Sequence, residues 1–183
     1  MELQLFNSLG KTITKLNPQS GQIINIYLCG PTVYDHIHVG NLRPIIIFDI
    51  LHRLLLNLGI KVNYIQNITD IDDKIIAKAQ KEKRTEKEIA NHYTNSYLNN
   101  LLRYNILFPI NFLRVTNYLP QIQKFIAVLL AKGVAYSQAG EVLFRVSSNE
   151  NYGKLSGQNL TKLKENAREI TPTDKENNKD FVL

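Results

Sequence analysis

Only one cysteine, one methionine and no tryptophan occur among the 183 residues. A lone cysteine, Cys29, excludes a disulfide framework within the chain. Long apolar runs are missing too: Asp49, His52 and Arg53 interrupt the best candidate well short of the roughly 18 residues that span a membrane. The opening segment, MELQLFNSLGK, has no basic stretch followed by an apolar one. No secretory leader is therefore expected, and the cytoplasm is the expected compartment. The lack of Trp beside an abundance of Asn and Ile fits a coding bias and carries no functional inference.

What is present suits a soluble globular protein, with 44% hydrophobic and 21% charged residues. The length allows one core of ordinary size, or one domain with an appended lobe. A net charge of +6 and a pI near 9.3 favour a polyanionic partner through counterion release. A lysine-rich solvated surface gives the same balance.

Hydrophobic periodicity divides the chain into elements. Gln22 to Leu28 is rich in β-branched and aromatic residues and predicts a buried strand. A turn-rich stretch, CGPTVYDHIHVGN, leads into a helix expected from about Asn41 to Leu58, with Pro44 in its first turn. Ile47, Leu51, Leu54 and Leu58 form its expected apolar face, and Gly59 stops it. Lys61 to Asn67 alternates as a second strand, which completes a βαβ unit with a parallel pair. A short helix is expected from Asp72 to Gln80, and another begins at Thr85, where Glu88 completes a capping box. Ile89, Tyr93, Tyr97 and Leu101 share one face of that helix. A further helix spans about Leu119 to Lys132, with Ile122, Phe125, Ile126 and Leu129 inward and Gly133 as its stop. Val134 to Tyr136 and Glu141 to Val146 predict a hairpin around Gly140. Thr161 to Asp180 is polar and lysine-rich and reads as a loop. The fold class is α/β: half of a doubly wound sheet, then helices and a small β element.

In open α/β sheets ligands bind beyond the carboxyl ends of strands, near a helix N-terminus. Cys29 to Arg43 occupies that place. The free N–H groups and partial positive charge of the helix start suit a phosphate, and Gly40 permits close backbone approach. His38 and Asn41, three residues apart, can donate to one anion or simply cap the helix. Cys29 at a strand end is either an inert thiol or a metal ligand. The acidic cluster Asp70, Asp72 and Asp73 fits a helix N-terminus, with Lys74 following, better than a metal site.

CGPTVYDHIHVGN, RPIIIFDI and NITDIDDKI resemble blocks of the cysteinyl-tRNA synthetase family, whose Cys-Gly-x-Thr-Val-Tyr-Asp run precedes the His-x-Gly-His signature of class I synthetases. The likeness continues through GVAYSQAGEVLF and NYGKLSG to DFVL, in the same order. The resemblance implies the N-terminal half of a Rossmann-like nucleotidyltransferase sheet over residues 1–115, and an inserted lobe over 116–183. It implies that Cys29 ligates a catalytic zinc, since a thiolate and a thiol substrate are both soft donors. It places Gly30, Thr32, His38, Gly40 and Asn41 against ATP, with His38 and Asn41 stabilising charge during adenylation, and it lines the amino-acid pocket with Thr32 and Thr69. The signature reads His38-Val39-Gly40-Asn41 here, with Asn at the last place. Losing a cationic His there weakens charge stabilisation by about 1–2 kcal/mol.

The implied reaction activates L-cysteine with ATP and transfers it to tRNA(Cys). The family's second half-sheet, which brings three more zinc ligands, the Lys-Met-Ser-Lys-Ser loop and an anticodon-reading domain, has no counterpart in these residues. The expectation is therefore a truncated catalytic portion, poor at aminoacylation alone, that pairs with a C-terminal half chain or self-associates through an open strand edge. The alternatives are a related cysteine:amino-sugar ligase and a non-catalytic remnant that binds ATP, tRNA or a partner chain.

Overall fold

The computed structural model describes residues 3–16, 18, 21–109, 111–157 and 175–183. The chain divides into two compact units, one made of Met1–Asn17 with Pro120–Leu183, the other of Pro18–Leu119. The first unit opens with a hairpin that sequence periodicity does not reveal: β1 (Leu3–Asn7) pairs antiparallel with β2 (Thr12–Leu16), from Leu3 opposite Leu16 to Asn7 opposite Thr12.

The unit Pro18–Leu119 carries the βαβ core. β3 (Ile24–Leu28) and β4 (Val62–Ile68) are parallel, with Ile24 opposite Val62 and Leu28 opposite Gln66. Between them runs α1 (Val39–Asn57). A third parallel strand, β5 (Asn111–Arg114), joins the far side of β4, so the order is β3-β4-β5. β5 lies outside the sequence expectation because four residues show too little alternation to be read as a strand. α2 (Asp73–Glu82) and α3 (Glu86–Arg103) connect β4 to β5. Along β4, Val62, Tyr64, Gln66 and Ile68 are buried in strict alternation, which places one face of the strand in the core.

The helix α1 corrects two expectations. It starts at Val39, so Pro44 lies beyond the first turn and has no N–H to offer the carbonyl of Gly40. Its buried residues are Leu42, Ile45, Asp49, His52 and Leu55, whereas Ile47 is 56% exposed. The polar pair goes inside because it has partners there. Asp49 accepts the Leu107 backbone N–H at 2.8 Å and Arg53 Nε at 2.8 Å, and the His52 ring meets Tyr64 edge-on. The far end follows expectation: Gly59 takes φ +73°, and the Gly59 and Ile60 N–H groups bond Leu56 and Leu55 carbonyls, closing a Schellman-type stop.

α3 begins as its sequence predicts. Thr85 Oγ1 accepts the Glu88 N–H at 3.2 Å, and Glu88 accepts the Thr85 N–H at 2.9 Å. Ile89, Tyr93, Tyr97 and Leu101 are all buried.

In the other unit, α4 (Leu119–Ala131, its first residue belonging to the core unit) has no fully buried residue. Ile122 and Phe125, expected inward, are 39% and 66% exposed. Periodicity marks an apolar side, but burial needs a facing layer, which the chain's own pattern does not specify. β6 (Ala135–Gln138) and β7 (Glu141–Phe144) form the expected hairpin, with Ala139 and Gly140 both at positive φ, the signature of a two-residue primed turn. β8 (Phe181–Val182) adds antiparallel to β7. Of the polar stretch 161–180, residues 161–174 lie outside the described residues. Its end is anchored: Asp180 accepts Val146 N–H and Tyr136 O–H, each at 2.9 Å, and Glu176 holds Arg145 through two bonds of 2.9 Å.

Candidate active site at the strand–helix junction

Beyond the carboxyl ends of β3 and β4 the chain segments stay in step. Thr32 pairs with Thr69 as an isolated parallel bridge. The Val33 N–H bonds the Thr69 carbonyl and the Thr69 N–H bonds the Pro31 carbonyl, both at 3.1 Å. The sheet thus extends past its strands and brings Gly30 and Thr32 beside Thr69, locked by a contact between Gly30 and Asn67, 37 positions apart in sequence. In that contact Asn67 Oδ1 accepts the Gly30 N–H at 2.7 Å, while its Nδ2 donates to Thr69 Oγ1 at 3.2 Å. A side chain at position 30 has no room, since a Cβ would lie 1.7 Å from the Asn67 carbonyl oxygen. Asn67 is the member of the site to which sequence reading gives no role, although it opens the block NITDIDDKI and lies one residue before the end of β4.

The start of α1 supplies the second wall. His38 is the N-cap, and its Nδ1 accepts the Gly40 N–H at 3.0 Å. In return Asn41 Oδ1 accepts the His38 N–H at 3.0 Å. The two residues form a reciprocal capping box, and the bonds decide what remains for a ligand. With Nδ1 accepting, the proton of a neutral ring sits on Nε2, which points a donor away from the helix. With Oδ1 accepting, Asn41 keeps its amide N–H groups as donors. Capping and anion binding are thus compatible roles of the same side chains. The first turn of α1 carries no acidic residue, so no carboxylate of its own offsets the positive end of the helix dipole.

Cys29 is exposed, and its Sγ approaches the Gly30 carbonyl at 3.7 Å. Among the described residues no group of three or more His, Cys, Asp and Glu is placed to hold a metal ion. One thiol is too few for zinc, which takes three or four protein ligands. The described residues therefore do not by themselves fit that metal.

The acidic cluster divides its work. Asp72 caps α2 by accepting the Lys74 N–H at 3.0 Å, and Asp73 lies in the first turn. Asp70 is buried and turns to Thr116, accepting its N–H at 3.0 Å and its hydroxyl at 2.6 Å. It also borders a cleft of about 510 Å³ lined by Ile75, Lys87, Asn91 and Arg114 among others. In the turn before α1, the His36 backbone N–H, bonded to Asp35 at 2.8 Å, holds the Asp35 carboxyl pKa below its ordinary range.

Comparison with known proteins places the chain in a family. Over 182 residues the chain is 44% identical to the cysteine–tRNA ligase of Onion yellows phytoplasma (strain OY-M), covering 99% of this chain and 41% of that protein. It is 44% identical over 185 residues to the cysteine–tRNA ligase of Acholeplasma laidlawii (strain PG-8A), covering 99% and 42%. A Listeria monocytogenes (serotype 4a, strain HCC23) cysteine–tRNA ligase is 38% identical over 183 residues, covering 100% and 39%. The chain thus spans about two fifths of the length of these relatives. A crystal structure assigned to an arginyl tRNA synthetase of Campylobacter jejuni superposes with a TM-score of 0.50 at 13% identity, over 73% of this chain and 39% of that one; it shares the fold. Residues 15–183 match the family of tRNA synthetases class I (C), catalytic domain, and it is to that family that the chain belongs.

Proposed function

We propose that this chain supplies the ATP- and cysteine-binding part of a cysteine–tRNA ligase. The observation that carries the reading is the 44% identity to cysteine–tRNA ligases over 182 residues. The site geometry agrees with it, with Thr32 and Thr69 paired at the strand ends beside a helix start free of acidic residues.

In the proposed reaction an oxygen of the cysteine carboxylate attacks the α-phosphorus of ATP. The bond from that phosphorus to the bridging oxygen breaks, and pyrophosphate leaves. The acyl carbon is then attacked by a ribose hydroxyl at the end of tRNA(Cys); the hydroxyl loses its proton and AMP departs. No protein nucleophile is needed, so the protein acts by positioning and by stabilising charge. His38 Nε2–H, the Asn41 amide and the free N–H groups at the start of α1 are the donors for phosphate oxygens. Thr32 and Thr69 face the amino acid. Cys29 is the one soft donor here for a zinc, a site that the described residues do not complete.

Cysteine-dependent exchange of labelled pyrophosphate into ATP tests the first step, and charging of tRNA(Cys) the second. Exchange without charging fits an adenylating portion. Transfer to an amino-sugar in place of tRNA would replace this reading with the amino-sugar ligase. ATP or tRNA binding with no exchange would assign the chain a binding role only.

A further inference from the structure

We propose that Asn67 is a positioning residue that fixes Thr69 as a hydrogen-bond donor toward the ligand. The inference rests on the cysteine-activating reading and deepens it. The Gly30 N–H, 2.7 Å from the Asn67 side chain, can be met only by an acceptor, so Oδ1 faces it. Nδ2 must then face Thr69 Oγ1, at 3.2 Å. An amide N–H can only donate. The threonine oxygen accepts that bond, and the hydroxyl's own proton turns elsewhere.

Among the described residues no other group takes that proton. Its backbone N–H is taken by Pro31 and its carbonyl by Val33, so the hydroxyl is the polar group left for a ligand. A fixed donor selects an acceptor. On cysteine the acceptors are the carboxylate and the thiolate; the ammonium group has no lone pair to offer and is excluded from this contact. The amide is held in place by its two bonds, one at each end, to Gly30 N–H and Thr69 Oγ1.

Asn67→Asp tests the assignment with an isosteric change. One carboxylate oxygen still accepts the Gly30 N–H, but the other now accepts where Nδ2 donated, so the Thr69 proton turns inward and the ligand meets an acceptor. On the full chain, calorimetric titration with L-cysteine is expected to show Asn67→Asp binding about 10- to 100-fold more weakly, the loss of one bond to a charged group. Thr69→Val should lose a similar factor and Thr69→Ser should not. The double variant Asn67→Asp/Thr69→Val should be no weaker than either single one, a coupling that general loosening of the fold would not produce. Two NMR readouts need no ligand. Gly30 amide exchange is expected to be slow in wild type and Asn67→Asp but fast in Asn67→Ala, and exchange of the Asn67 side-chain amide should speed up in Thr69→Val. Wild-type affinity in Asn67→Asp, independent additive losses, or unchanged exchange in those variants would overturn the proposal. If the unaltered chain binds no L-cysteine, the cysteine-activating reading and the ligand half of this proposal fall together, while the two exchange series still decide whether Asn67 orients Thr69.

Discussion

The imidazole of His38 lies over the α-carbon of Gly40, so close that a Cβ there would sit 2.8 Å from Cε1 and 2.9 Å from Nδ1. The glycine of the signature thus makes room for its own neighbour's ring, which caps the helix by accepting the Gly40 N–H. Gly40→Ala pushes the ring off this bond. Losing the cap costs about 1 kcal/mol, and a better helix former returns about 0.5–1 kcal/mol. Melting should therefore change little, while ATP affinity measured by calorimetry should fall about tenfold, as one misplaced donor implies. Unchanged ATP affinity would separate the His38 ring from phosphate binding.

Gly30→Ala meets backbone instead of a movable ring. The added Cβ would overlap the Asn67 carbonyl oxygen at 1.7 Å, and β4 cannot yield without breaking its pairing with β3 and β5. The expected cost is about 3 kcal/mol, at the upper end for overpacking. Urea unfolding read by circular dichroism measures it.

Asp49 ties α1 to the segment entering β5. Asp49→Ala leaves the Leu107 N–H without its 2.8 Å acceptor, at an expected cost of about 1–2 kcal/mol for the unsatisfied donor; the half-exposed Arg53, which keeps the Asn105 carbonyl, adds little. Hydrogen exchange should show the Leu107 amide opening before the rest of the sheet.

Burial lowers the His52 pKa from its ordinary value; Asp49 opposes the shift and Arg53 adds to it. The other titratable group facing it is Tyr64, itself raised to about 12 by burial, and His52 Nδ1 has no hydrogen-bond partner. The unfolded chain therefore binds this proton more readily than the folded one. Stability from His52 is full above about pH 6.5 and falls as pH drops below that value. His52→Phe should flatten the melting temperature between pH 7 and pH 5; an equally steep profile would acquit His52.

Among the described residues β3 pairs with β4 alone, which leaves its other edge open, and Tyr27 on that strand is 64% exposed. Such an edge recruits another strand. Sedimentation velocity is expected to show concentration-dependent association that Tyr27→Lys reduces, and a monomer at all concentrations would refute it.

Local chemistry was legible in the residues themselves. The Thr85–Glu88 capping box, the stop at Gly59 and the primed turn at Ala139–Gly140 each depend on a few neighbouring side chains and on φ preferences that a short stretch dictates. So did the alternation of β4 and the βαβ order, because a period of two or 3.6 residues is written along the chain. The contiguous run from Cys29 to Asn41 and the block from Asn67 to Lys74 pointed to the candidate site through a strand–helix junction and a family resemblance, both written in neighbouring residues. Only the tertiary structure decided which face of α1 went inside. Ile47 stays out while Asp49 and His52 go in, since their partners Leu107 and Tyr64 come from distant segments that no helical period records. It alone added β5 to the sheet, left Phe125 of α4 uncovered, and joined Gly30 to Thr69 through Asn67, for a hydrogen bond across 37 positions is set by the meeting of two strand ends.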